Sequence, residues 1–104
     1  MIISTTETIP NKQVTEVLGI SRGSTVRARN FGRDILAGFK NFVGGEIDGY
    51  TKLQAQSREQ AIERMILDAE RLGADTIVNV RFSTSTIMQG ASEILAYGTA
   101  VKLS

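Results

Sequence analysis

Residues 57–73 read SREQAIERMILDAERLG, residues 74–82 read ADTIVNVRF, and residues 93–103 read EILAYGTAVKL. In the first segment Ile62, Met65, Ile66, Ala69 and Leu72 recur at the three- and four-residue spacing that gathers apolar side chains on one helix face. Gly73 is the residue type that ends a helix in the left-handed conformation without steric cost. In the second segment the period falls to two, with Val78, Val80 and Phe82 expected on one face and Ile77, Asn79 and Arg81 on the other. In the third, Leu95, Tyr97, Thr99, Val101 and Leu103 alternate with Ile94, Ala96, Gly98, Ala100 and Lys102. That second face is mostly small, so close approach of another backbone or helix is expected over Gly98 and Ala100. The hydroxyl-rich stretch STSTIMQGA at residues 83–91 reads as a loop.

Towards the N-terminus the helical pattern continues back through Leu53, Tyr50 and Ile47 to Glu46, where a helix can open. Ser57-Arg-Glu-Gln60 matches a capping box and could start a separate helix. One long helix is favoured, because TKLQAQ at residues 51–56 contains neither Gly nor Pro. Before it, Asp34 and the spacing of Ile35, Leu36, Phe39, Phe42 and Val43 predict a short helix of about three turns, ended by Gly44-Gly45. Residues 12–29, with β-branched Val14, Thr15, Val17, Ile20, Thr25 and Val26 around Gly19 and Gly23, read as a strand, a turn or bulge, and a second strand. Met1–Ser4 reads as an opening strand, and the segment around Pro10 as a loop. The fold class is α+β, a small antiparallel sheet packed by a short and a long helix in one domain over residues 1–104.

Composition narrows the chemistry. A chain of 104 residues, 41% hydrophobic, buries only about two-thirds of its unfolded surface and has a modest core. Twelve basic and eleven acidic side chains leave a net charge of +1, too small to draw nucleic acid or an anionic membrane across the whole surface. Cys and His are both absent, which removes disulfides, thiolate nucleophiles and imidazole proton shuttles, and with them the usual ligands of zinc and copper. Weak binding of such soft ions is expected. No apolar run is long enough to span a bilayer, and the first residues lack a signal-peptide layout, so a cytoplasmic protein is expected.

The local features each have a functional and a structural reading. Arg22, Arg27, Arg29 and Arg33, with Phe31 among them, could grip a nucleic-acid backbone, which makes a weak RNA-binding module one alternative. The favoured reading is a polar strand edge whose arginines meet carboxylates. Gly32 and Gly44-Gly45 precede helical segments and could hold an anion, but Asp34, Glu46 and Asp48 already place negative charge there. Those three carboxylates could bind a hard divalent cation as a cofactor, and Asp34 with Glu46 could then support metal-assisted hydrolysis; the favoured reading is helix-capping acids. Tyr50 and Met65 fit packing on the helix stripe. Arg58, Glu59, Glu63, Arg64 and Glu70 read as solvated helix surface, with Arg64 and Asp68 paired at helical spacing.

Gly32-Arg-Asp34, Gly44-Gly45 followed by Tyr50, Leu72-Gly-Ala-Asp75 and Gly98-Thr-Ala-Val101, in this order, resemble the YbjQ-like family of small bacterial proteins over essentially the whole chain. The resemblance implies a compact α+β subunit in a ring-shaped homopentamer, a label of heavy-metal binding, and no established activity. The reading reached is a homo-oligomeric binding or scaffold protein, holding a small molecule, anion or metal ion between subunits. No catalytic residue is assigned. The expected ligand region comprises Asn30, Arg33, Asp34, Gly44, Gly45, Glu46 and Tyr50, where glycines admit a ligand to the backbone between opposite charges.

Overall fold

A computed structural model describes residues 1–27, 47–88 and 91–104, with the side chains of Arg27 and of residues 47–53 outside the description. The elements run β1 (Ile2–Ile3), β2 (Val14–Arg27), α1 (Ile47–Arg71), β3 (Thr76–Met88) and β4 (Ala91–Leu103). The strands form one sheet in the order β1-β3-β4-β2. β4 pairs antiparallel with both β3 and β2, whereas β1 runs parallel to β3, so the sheet is mixed rather than wholly antiparallel as expected. The physical reason lies in connection length. Only two residues separate β3 from β4 in the chain, which forces opposite directions, while β1 reaches β3 only after β2 and α1, which leaves a parallel pairing open. The expected short helix over residues 34–43 lies outside the described residues.

β2 is one continuous strand of 14 residues, not two strands about a turn. Gly19, at φ +125°, sits where the pairing with β4 slips between Val17 and Gly19. The extra residue is absorbed as a bulge, so Leu18 and Ser21 both meet the helix side and the strand continues. A second irregularity corrects the reading of β3. Asn79 adopts φ 55°, and Val78 pairs with Thr99 while Arg81 pairs with Tyr97. Two residues therefore face Gly98, which rephases the alternation. Ile77 and Val80 share the core face, while Phe82 is exposed. Residues 83–88, expected as loop, continue the strand, because β4 offers them an antiparallel partner as far as Met88↔Ala91.

α1 is the single long helix expected, with Ser57 inside it and buried. Its end is a Schellman motif: Ala74 N–H donates to Ala69 C=O at 3.0 Å, Gly73 N–H to Glu70 C=O at 2.9 Å, and Gly73 takes φ +84°. The helix packs mainly on β2, less on β4 and barely on β3. Ala61, Met65 and Ala69 from the helix close on Ile77, Val80, Ile94, Ala96 and Ala100 from the sheet. The close approach expected over Gly98 and Ala100 holds at Ala100, fully buried in this cluster together with its neighbour on the same face, Ala96. At Gly98 an added methyl would meet Ile77 Cγ2 at 2.6 Å and Val78 O at 2.9 Å.

The tightest contact lies one strand over. A methyl on Gly23 would fall inside the helix backbone, against Met65 N, Ala61 O and Arg64 C. Ser21 Oγ donates to Met65 C=O and Thr25 Oγ1 to Ser57 C=O, each at 2.6 Å. The two acceptors are separated by about 12 Å along the helix and the two donors by about 13 Å along the strand. This match lays α1 antiparallel along β2 with Gly23 at the centre. Among the described residues no helix is long and apolar enough to cross a membrane.

Candidate functional site

The expected ligand residues Asn30, Arg33, Asp34, Gly44, Gly45 and Glu46 lie outside the described residues, and Tyr50 falls within α1 with its side chain outside the description. Of the basic segment, Arg22 alone has a described side chain. What the structure does place is a polar cluster at the outer edge of β2 and an exposed arm formed by β3.

At the β2 edge, Arg22 N–H donates to Asp68 Oδ2 at 3.1 Å, and Arg64 Nη1 donates to Ser24 C=O at 2.6 Å. β2 is a terminal strand of the described sheet, so its outward peptide groups need partners, and these two helix side chains supply them. Asp68 Oδ1 takes Arg71 Nη2 at 2.7 Å. The expected Arg64–Asp68 pair is thereby corrected, since both residues turn to the strand edge instead of to each other. The Arg71 guanidinium, then the Arg22 peptide N–H, hold the Asp68 carboxyl below its ordinary range against a smaller opposing effect of burial. An open depression of about 390 Å³ is lined by Ile20, Arg22, Asp68 and Arg71. Its carboxylate already has a donor on each oxygen, so the depression presents guanidinium charge to solvent and carries no free base or nucleophile.

The second region is apolar and open. β2 turns Val17, Ile20 and Val26 away from the helix; Ile20 is 71% and Val17 66% exposed. On the same face Tyr97 stands in register with Arg22 on one side and Arg81 on the other. β1 covers the edge of β3 at Thr76 and Ile77, after which Thr6 and Ser4 carbonyls accept from Asn79 and Val80. From Arg81 to Met88 every residue is exposed, including Phe82, Ile87 and Met88. No further strand pairs with this edge among the described residues. The principal extents are 54 × 25 × 17 Å and the radius of gyration is 17.1 Å, against about 13 Å for a compact chain of this length.

The sequence reading passed over the bare face of β2 and the exposed arm of β3. Val17, Ile20 and Val26 are ordinary strand formers, and only the placement of α1 on the opposite face leaves them bare. The signal for the arm was present in the β-branched Thr84, Thr86 and Ile87, outweighed by the loop-like run of hydroxyls. Among the described residues no three Asp or Glu side chains come together as a metal-holding group.

Comparison with known proteins agrees with a small α+β fold. A solved structure from Pediococcus pentosaceus, described as a protein with unknown function of the DUF74 family, matches with a TM-score of 0.59. It covers 100% of this chain and 98% of that one at 18% identity, a likeness of fold alone. A UPF0145 protein of Methanosarcina acetivorans is 56% identical over 99% of this chain and 97% of its own length. UPF0145 proteins of Archaeoglobus fulgidus and Thermotoga maritima are 58% and 55% identical, each over 99% of this chain. Archaeal relatives correct the expectation of a family confined to bacteria. The family model described as "Putative heavy-metal-binding" matches residues 1–104, and the chain therefore belongs to the YbjQ family, known among its relatives as UPF0145.

Proposed function

We propose that this protein is a homo-oligomeric binding or scaffold protein that holds a small ligand, an anion or a metal ion between its subunits. The observation that carries this reading is the amount of apolar surface a single copy leaves in water: Val17, Ile20 and Val26 on β2, with Phe82, Ile87 and Met88 on β3. Exposed apolar side chains in this number mark association surfaces, and a domain with so small a core gains stability by burying them. The ring of five subunits is the arrangement that the family resemblance implies. The metal description of the family is tempered by chemistry: without Cys or His, oxygen donors such as Asp34, Glu46 and Asp48 suit hard cations better than soft ones.

Native mass spectrometry of the protein purified without a metal-affinity tag tests assembly and ligand retention together. The expected result is a multiple of 11.3 kDa with retained ligand mass, altered by Asp34→Ala or Glu46→Ala. A ligand-free monomer at micromolar concentration would sink the reading. Titration calorimetry of the same sample with zinc and copper should show only weak binding.

A further inference from the structure

We propose that the depression between the β2 edge and the C-terminal part of α1 binds the phosphate group of a small organic monoester through the Arg22 and Arg71 guanidiniums. The site is built within one copy of the chain and stands apart from the assembly proposed above.

Arg64, Asp68 and Arg71 follow one another at spacings of four and three along α1, which sets them on one flank of the helix, and Arg64 and Asp68 bond the edge of β2. Arg22 meets them from the strand. These four side chains are three guanidiniums and one carboxylate, a local excess of positive charge that the net charge of +1 for the whole chain hides. The carboxylate is fully committed, since Oδ2 accepts the Arg22 peptide N–H at 3.1 Å and Oδ1 accepts Arg71 Nη2 at 2.7 Å. Arg64 is likewise engaged on Ser24 C=O. Among the described residues nothing accepts from the Arg22 guanidinium. Arg71 gives one nitrogen to Asp68 and is 70% exposed, so the rest of its fork faces water. The Arg71 hydrogen bond and then the Arg22 peptide N–H lower the Asp68 carboxyl, and the charges of both guanidiniums add to them, so both cations lie within reach of one carboxylate.

The ligand class follows from these donors. The depression, about 390 Å³, lies within the range of about 300–1,000 Å³ for small-molecule sites. A guanidinium takes a carboxylate or a phosphate through paired N–H bonds. A carboxylate has two oxygens, and one fork satisfies it. A phosphate monoester brings three terminal oxygens and a charge of about −1.5 to −2 at neutral pH, which two forks on two elements can share. Ile20 supplies an apolar wall, 71% exposed. Inorganic phosphate leaves that wall in water, whereas the organic part of a monoester covers it.

The test is an NMR titration of the untagged full chain with phenyl phosphate, inorganic phosphate and acetate, following arginine Nε–H and isoleucine methyl signals. With phenyl phosphate, the Arg22, Arg71 and Ile20 signals are expected to move together on one saturating curve. Inorganic phosphate should bind about threefold more weakly, for want of apolar contact, and acetate at least about tenfold more weakly. Arg22→Gln and Arg71→Gln should each weaken phenyl phosphate by at least about fivefold. The strand edge survives Arg22→Gln, because Asp68 holds the peptide N–H of residue 22 and not its side chain. Arg58→Gln, on the solvated helix face, should leave the affinity unchanged. Shifts that grow without saturating, or that spread equally to Arg58, overturn the inference, since they report an ion atmosphere and no site. Unchanged affinity in both glutamine variants overturns it too, as does either competitor binding as tightly as phenyl phosphate. All of these outcomes leave the native mass of the protein, and with it the self-association reading, untouched.

Discussion

β2 and β3 are long strands of one sheet, yet they meet the rest of the chain in opposite ways. β2 lies under α1 at backbone contact, with Gly23 at the centre and the Ser21 and Thr25 hydroxyls bonded to helix carbonyls. β3 is covered only in its first half and leaves Arg81–Met88 in water. The difference shows that helix propensity and strand propensity do not decide where a core forms. Residue size does: the helix settles where Gly23, Ala96 and Ala100 let it come close, and every other strand surface becomes something to be buried by other means.

Gly23→Ala is the most severe way to break this contrast. The new methyl would strike backbone atoms of residues 61, 64 and 65, which cannot move as a flexible side chain can. A loss of at least about 3 kcal/mol in urea-unfolding stability is expected, at the upper end of overpacking costs. Thr84→Ala on the arm should cost less than about 0.5 kcal/mol. Equal effects at the two positions would erase the distinction between the closed and open halves.

Thr25→Val sharpens the comparison at smaller scale. The substitution keeps the shape and removes the hydroxyl bonded to Ser57 C=O, whose carbonyl stays within a helix. A loss of about 1 kcal/mol is expected. A neutral result would mean that the hydroxyl pair does not help to align α1 on β2.

The Asp68 cluster has the smallest effect and a definite sign. Its carboxyl titrates lower in the folded chain than in the unfolded one. Its contribution is therefore fully present above the ordinary carboxylate range of about 4 and is lost as pH falls through the lowered folded value. Asp68→Asn should flatten this acid limb while costing less than about 1 kcal/mol at neutral pH, since the Arg71 partner is 70% exposed. Glu59→Ala and Glu63→Ala on the solvated helix face should leave the limb unchanged. An identical pH profile in Asp68→Asn and the unmodified protein would assign the acid limb to other groups.

Local pattern was enough to identify α1 as one helix, its Gly73 stop, the opening strand and the C-terminal strand, because those features depend on neighbouring residues and on periods of 3.6 and 2. The small face of β4 likewise announced that something would lie against Gly98 and Ala100. The candidate ligand region at residues 30–50 was legible as residue types and spacing, and all of its candidate residues except Tyr50 lie outside the described residues. Tertiary structure alone decided the rest. The parallel pairing of β1 with β3 depends on a partner more than seventy residues away. The bulges at Gly19 and Asn79 exist because two strands must keep different lengths in register, which no single strand's alternation can reveal. Arg64 and Asp68 carried the spacing of an ion pair, but unpaired peptide groups on the β2 edge drew both of them away. Sequence sets what each segment can be; the obligation to satisfy buried volume and backbone hydrogen bonds at once sets which surfaces close and which remain open.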